Sequence, residues 1–246
     1  MKRFLLLLSA LVLTATFCEA RKLPAEALGT VKYEIRYKWG AINAKVASID
    51  LSLAPEQWEN HQAYHSKAII KTSAIFSLFI GADMTAESYI EQSDLQPLYF
   101  INPHKKGGKD VCFTFVYNRK SKQIESTFKG VKDTSEKTLP MDGKTYDLLS
   151  VITYVRFLDA SKKNVDINLL LGDERYPGVL TYEGKDTEKF PGRETDRFVL
   201  RLTGRGVMEN GSGNELTFWR STGSDRKMIG LEAPISPGFM TIRIKE

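Results

Sequence analysis

The sequence predicts a mainly β protein: a curved antiparallel meander sheet, or half-open β-barrel, with one principal covering helix at about residues 145–159. Three observations lead there. Apolar and polar residues alternate with period two along most of the chain, as in strands with one face on a core and one in water. Turn residues punctuate those runs at short intervals, so sequential strands should pair antiparallel. One stretch has helical spacing instead: Leu148, Leu149, Val151, Ile152, Val155 and Leu158 form an apolar stripe. A lone helix among strands must bury that stripe against a sheet. Thr145 or Asp147 can supply the oxygen that caps its first-turn amides.

The chain opens with Lys2 and Arg3, an apolar run from Phe4 to Phe17 and then Cys18-Glu19-Ala20. This is the pattern of a secretory signal peptide cleaved after Ala20. Residues 1–20 are therefore expected to be removed. Residues 21–246 are expected to form a single β-rich domain, exported to the periplasm or cell envelope, with no transmembrane anchor left after cleavage. Cys18 leaves with the leader, so Cys112 stands alone and is expected to pack within a strand. The net charge of +5 is too small to argue for nucleic acid. Its distribution is uneven, with nine basic residues against four acidic ones between His104 and Lys137.

The elements follow in order. Val31–Trp39 alternates without a break, and Gly40-Ala41-Ile42-Asn43 turns it into a second strand over Ala44–Leu53, closed by Pro55. His61–Thr72 is a third strand. Ala74–Gly81 is apolar apart from Ser77 and is expected to be a one- or two-turn helix on the rim of the sheet. Met84–Ile90 and Gln96–Ile101 are strands split by the turn Gln92-Ser93-Asp94. Lys105-Lys106-Gly107-Gly108 turns into Val111–Tyr117, and Gln123–Phe128 follows. Val131–Leu139 reads as a polar, lysine-rich loop. Beyond the helix, strands are expected from Val165 to Leu171, Val179 to Glu183, Phe198 to Leu202, Glu215 to Arg220, Met228 to Glu232 and Phe239 to Ile244. Asn210-Gly211-Ser212-Gly213 is a hairpin signal. The total is about a dozen strands. Crossing helices are absent from the pattern, which excludes a parallel α/β sheet.

Candidate sites are few. His61 and His65 share a strand face, but zinc needs three or four protein ligands, and His104 is the one imidazole left. No metal or cofactor is expected. Ser212 sits between glycines in a hairpin turn rather than on a strand-to-helix elbow, and no G-x-S-x-G occurs. Asp83 with Glu87, or Asp173 with Glu174, are acidic pairs that a chain with 30 carboxylates produces by chance. The apolar segment offers more. Phe76, Leu78 and Phe79, with Tyr37 and Trp39, could line a concave mouth for an apolar ligand, or plug it. Lys105 and Lys106 in the basic hairpin could attract anionic head groups or an acidic partner, or guard a sheet edge.

Several stretches together carry a family resemblance. They are Tyr33–Ala44, the helix opening Tyr146-Asp147-Leu148-Leu149-Ser150, the turn Pro191-Gly192 before Phe198-Val199-Leu200, and Phe218-Trp219-Arg220-Ser221. In this order they resemble the exported bacterial proteins called domain of unknown function 3108. The resemblance implies a fold similar to the half-open β-barrels of periplasmic lipoprotein carriers, whose curved sheet holds acyl chains. It implies no catalytic residue, and fold alone does not fix function. The expectation is a non-enzymatic envelope protein that binds a lipid-like or other apolar ligand in its concavity. The alternatives are an assembly protein with a filled barrel docking onto an envelope partner and, with less support, an envelope hydrolase.

Overall fold

The computed structural model describes residues 22–73, 83–106, 108–172, 174–203, 214–235 and 237–245. Residues 1–20, the expected leader, and residues 74–81, the expected rim helix, lie outside these, as does the hairpin signal Asn210–Gly213. Among the described residues the strands are β1 (Gly29–Trp39), β2 (Ile42–Trp58), β3 (His61–Thr72), β4 (Met84–Glu91), β5 (Pro97–Lys106), β6 (Lys109–Asn118), β7 (Gln123–Lys129) and β8 (Thr134–Pro140). Next come β9 (Thr145–Tyr146), helix α1 (Leu148–Phe157), β10 (Asn164–Leu171), β11 (Glu174–Asp186), β12 (Thr195–Leu202), β13 (Glu215–Ser221), β14 (Met228–Pro234) and β15 (Phe239–Ile244).

All fifteen strands join one sheet in the order β8-β7-β6-β5-β4-β3-β2-β1-β15-β14-β13-β12-β11-β10-β9. The sheet does not close into a barrel. It rolls instead. Leu169 is buried in one apolar cluster with Phe198, Leu200 and Phe218, whereas Leu170 is buried in another with Phe100, Phe115 and Ile124. Neighbouring residues of a strand point to opposite faces, so both faces of β10 are covered. The β9–β10 edge is thus tucked inside the curl of β3–β7, and α1 goes with it, packing on β3 and β4 as well as on β9 and β10. Eight of the ten helix residues are buried, Arg156 among them.

Both ends of this interior helix are capped by groups anchored in the sheet. At the N-terminus, Asp147 Oδ1 accepts from the amides of Leu149 and Ser150, each at 2.9 Å, and Ser150 Oγ returns a bond to the Asp147 amide. Its other oxygen accepts from Ser88 Oγ of β4 at 2.9 Å and from the Tyr117 hydroxyl of β6 at 3.4 Å. At the C-terminus, Arg220 of β13 donates to the carbonyls of Val155, Arg156 and Leu158 at 3.0, 3.0 and 2.7 Å. Asp196, its cross-strand neighbour on β12, holds that guanidinium through two bonds of 3.1 and 2.8 Å. Arg156 itself donates to the carbonyls of Ala27 and Arg226, which ties the helix to the start of the domain.

The structure corrects the sequence reading at five points. Val131–Leu139 is not a loop. Most of it is edge strand β8, polar on both faces because neither is well covered. Pro55 does not end β2, which continues to Trp58 with Pro55 opposite Tyr64. Thr145 is not the cap, since it lies in β9 and Asp147 caps the helix. The β9–β10 pair is parallel and α1 connects it, so one crossing helix exists where none was expected. Leu148 leaves the apolar stripe and is 47% exposed in the first turn.

Two outcomes follow. Arg220→Met keeps the stem volume but leaves Asp196 and three helix carbonyls without their donor. It should lower unfolding stability in urea by about 3–5 kcal/mol. The second concerns pH. Burial raises the Asp147 carboxyl above its ordinary 3.8, although bonds from Ser150, Ser88 and Leu149 oppose the shift. The ionised form is therefore disfavoured in the fold, and this penalty grows as pH rises from 3.8 through the folded pKa. Asp147→Asn removes it. The stability of the Asp147→Asn variant relative to the parent should improve from pH 4 to pH 7, where urea titrations of both proteins check it; a flat difference contradicts the assignment.

Candidate functional site

The inward face of the sheet sets the site. Register makes Tyr33, Ile35, Tyr37 and Trp39 of β1 point to the same side, with Ile49 and Leu51 of β2, Ile70 of β3 and Met240 and Ile242 of β15 beside them. Toward the end where α1 lies this wall is sealed, and Tyr33, Leu53 and Tyr64 are buried. Val31, Ile49, Leu51, Ile70, Met240 and Ile242 are half-buried although they face inward, packed against the core clusters. They form an aliphatic band across four adjacent strands that is interrupted on β1 by the buried Tyr33 and Ile35, with Val31 and Leu51 on the α1 side of these and Met240 toward the opposite end.

That opposite end is a rim of alternate turns: β1–β2, β3–β4, β5–β6, β7–β8 and β14–β15. Of the residues singled out from sequence, Tyr37 and Trp39 come together here. The Tyr37 hydroxyl donates to the Pro237 carbonyl and pins the β14–β15 turn against β1. Gly238 has φ +106°, and a Cβ there would lie 3.1 Å from Trp39 Cβ, so glycine is what permits the close approach. Trp39 is 52% exposed. Lys105 is at the end of β5, four strands away from β1, in a 3.1 Å ion pair with Asp110. With His104, Val111 and Cys112 it lines a groove of about 720 Å³. Cys112 is half-buried there, its thiol 3.7 Å from the Phe113 carbonyl. Lys106 ends β5, while Phe76, Leu78 and Phe79 lie outside the described residues.

The histidines do not converge. On the convex face His61 meets Glu91 at 2.6 Å, and His65 bridges Glu56 at 3.0 Å and Glu87 at 2.9 Å. The described residues contain no group of three metal-ligating side chains. Instead His65 stacks on Tyr89 at 4.5 Å, Tyr89 packs on Trp58 at 4.0 Å, and Trp58 stacks on Tyr99 at 4.8 Å. The ring faces are occupied by one another, which makes this a packing ladder along the outer sheet. Burial, with Glu56 and Glu87 nearby, pushes the Tyr89 hydroxyl up. Burial would also raise Glu87, but Lys67 and His65 outweigh it and hold that carboxyl below its usual value. Glu87 is thus engaged with Lys67 and His65 rather than paired with Asp83. Asp173 and Ser212 lie outside the described residues.

Sequence reasoning missed the buried polar groups Arg156, Asp196 and Arg220. A signal was present. Asp196 continues the inward apolar face of Phe198 and Leu200, and Arg220 continues that of Leu216 and Phe218. Opposite charges at inward positions of two neighbouring strands mark a buried pair. These groups are all engaged in capping α1 or in tying it to flanking loops, so they serve the fold.

No curated protein matches the chain. In fold it is similar to a beta-barrel-like protein of domain of unknown function DUF1849 from Brucella abortus, known from a crystal structure. The TM-score is 0.57 at 7% sequence identity, over 88% of this chain and 95% of that one. That likeness shows a shared β-barrel-like architecture and nothing finer. The family model described as protein of unknown function (DUF3108) matches residues 32–245, and the chain belongs to that family.

Proposed function

We propose that the protein is a non-enzymatic binding protein of the cell envelope that holds a lipid-like or other apolar ligand against the concave face of its rolled sheet. The aliphatic band of Val31, Ile49, Leu51, Ile70, Met240 and Ile242 carries this reading. Side chains that face inward in a well-packed β domain are normally closed off from water. Here six of them on four adjacent strands are only half-buried, and they are uniformly apolar, as the wall of a lipid site is. The engagement of the buried polar groups in helix capping supports a non-enzymatic role. The leader-like residues 1–20 support export.

A second reading has its own support. The half of the roll that holds α1 is fully packed, so the same fold could be a filled scaffold that docks onto an envelope protein.

Native mass spectrometry of residues 21–246, purified gently from the source cell, separates the two. An added mass in the lipid range, removed by organic extraction, is expected. Ile49→Trp and Ile70→Trp fill the band with apolar volume instead of polarity, so the fold should persist while ligand occupancy falls about tenfold, equivalent to ~1.4 kcal/mol. A clean apo mass for the parent protein would sink the ligand reading and leave the scaffold.

A further inference from the structure

We infer that the rim at the β1–β2 and β14–β15 turns is a docking surface for an anionic lipid bilayer. This goes beyond the binding of a ligand in the concavity and rests on different residues. Trp39, Ile42 and Phe239 are 52, 47 and 53% exposed, and they meet at one tip. Trp39 lies opposite Ile42, and Phe239 lies opposite Lys38, one residue before Trp39. Register puts Trp39 and Ile42 on the inward face and Phe239 on the outward face. A ligand inside the roll would account for the first two but not for Phe239. Apolar groups on both faces of a strand tip are covered together only by something that meets the tip end-on. An amphipathic interface into which large side chains dip does this, and Trp is well suited to the head-group level.

Charge points to the sign of that surface. At the same tip Arg36, Lys38 and Lys45 face one carboxylate, Glu34, which Arg36 and Lys45 share at 2.8 and 3.2 Å. Alternate turns of a meander lie at the same end, so the β5–β6 and β7–β8 turns belong to this rim too. The first carries Lys105, Lys106 and Lys109 in its sequence, with Asp110 as the one carboxylate. The second carries Lys129 and Lys132, with Asp133. The turns beyond β15 on the other flank carry no such excess: in sequence one has Asp173 and Glu174 with Arg175, and the other has Arg201 and Arg205 with Glu209 and Glu215, so the excess of cations is confined to the flank of the rim that begins at the exposed aromatics. Val131, exposed in the β7–β8 turn, adds a further apolar contact in that sector. Polybasic surface with interfacial aromatics is the combination that holds a protein on anionic lipid.

The test uses residues 21–246 stripped of lipid, so that occupancy of the concavity does not intervene. Vesicles of phosphatidylcholine with about one third phosphatidylglycerol should sediment the protein, and pure phosphatidylcholine should bind it at least about tenfold more weakly. Brominated lipid should quench Trp39 fluorescence, and Trp39→Phe should abolish that quenching although Trp58 and Trp219 remain. Trp39→Ser with Phe239→Ser, and separately Lys105→Glu with Lys109→Glu, should each weaken binding about tenfold at unchanged thermal stability, since these side chains are exposed. Failure of the parent protein to sediment with anionic vesicles, as a tip built for a protein partner predicts, would overturn the inference. So would parent-like binding by the double serine variant, or quenching that persists in Trp39→Phe.

Discussion

Arg220 in contact with Asp196 and the last turn of α1 is the constraint on which the rest of the structure depends. A helix inside a rolled sheet ends in carbonyls that water cannot reach, and each would cost free energy if left unpaired. One guanidinium satisfies three of them and is itself neutralised by a carboxylate on the neighbouring strand. Burial lowers the Arg220 pKa, but Asp196 pushes the other way and keeps the cation compatible with the interior. The arrangement fixes where β12 and β13 lie relative to α1. Asp147, Ser88 and Tyr117 do the same for β4 and β6 at the other end. The helix therefore acts as a strut between the two flanks of the roll.

This strut also divides the interior. The half of the interior that α1 fills is closed, and its polar groups are already engaged. Among the described residues, the half-buried part of the same wall is aliphatic and lies on both sides of the buried Tyr33 and Ile35. The exposed Trp39, Ile42 and Phe239 and the excess lysines sit at the rim away from α1.

Much of this was legible in the sequence, for a physical reason. A strand with one wet face must alternate, and Val31–Trp39, Val165–Leu171 and Phe198–Leu202 do so plainly. The helix stood out because its spacing differs from everything around it. What escaped lacked such a contrast. β8 is an edge strand wetted on both faces, and such a strand looks like a loop. β9 is two residues long, too short to show any period, so the parallel crossover it makes was invisible. Leu148 looks apolar in the stripe, but the first turn of α1 leaves it outside the roll. The candidate site was legible only in its β1 portion. Tyr37 and Trp39 lie at the rim end of β1, whereas the neighbourhood of Met240 and Ile242 with Ile35 and Ile49 arises from the register of β15 on β1, strands distant in sequence, which no local pattern encodes.

The strand order has a consequence for how the chain is threaded. Read across the sheet from β9, the strands run β9 to β15 and then β1 to β8, so the spatial order is the sequence order started from the middle. The one long-range seam is β1 with β15, where Tyr33 faces Ile244 and the Lys245 amide reaches the Lys32 carbonyl. A circularly permuted chain, opened at residues 141–144 and joined by a linker from Lys245 to Lys22, would turn that seam into one more locally connected pair. Every strand pair would then be local, leaving the packing of α1 on β3 and β4 as the long-range step. The natural order instead defers the seam until Phe239–Ile244 has been made. Two half-sheets can form early, and the last strand joins them into one continuous surface.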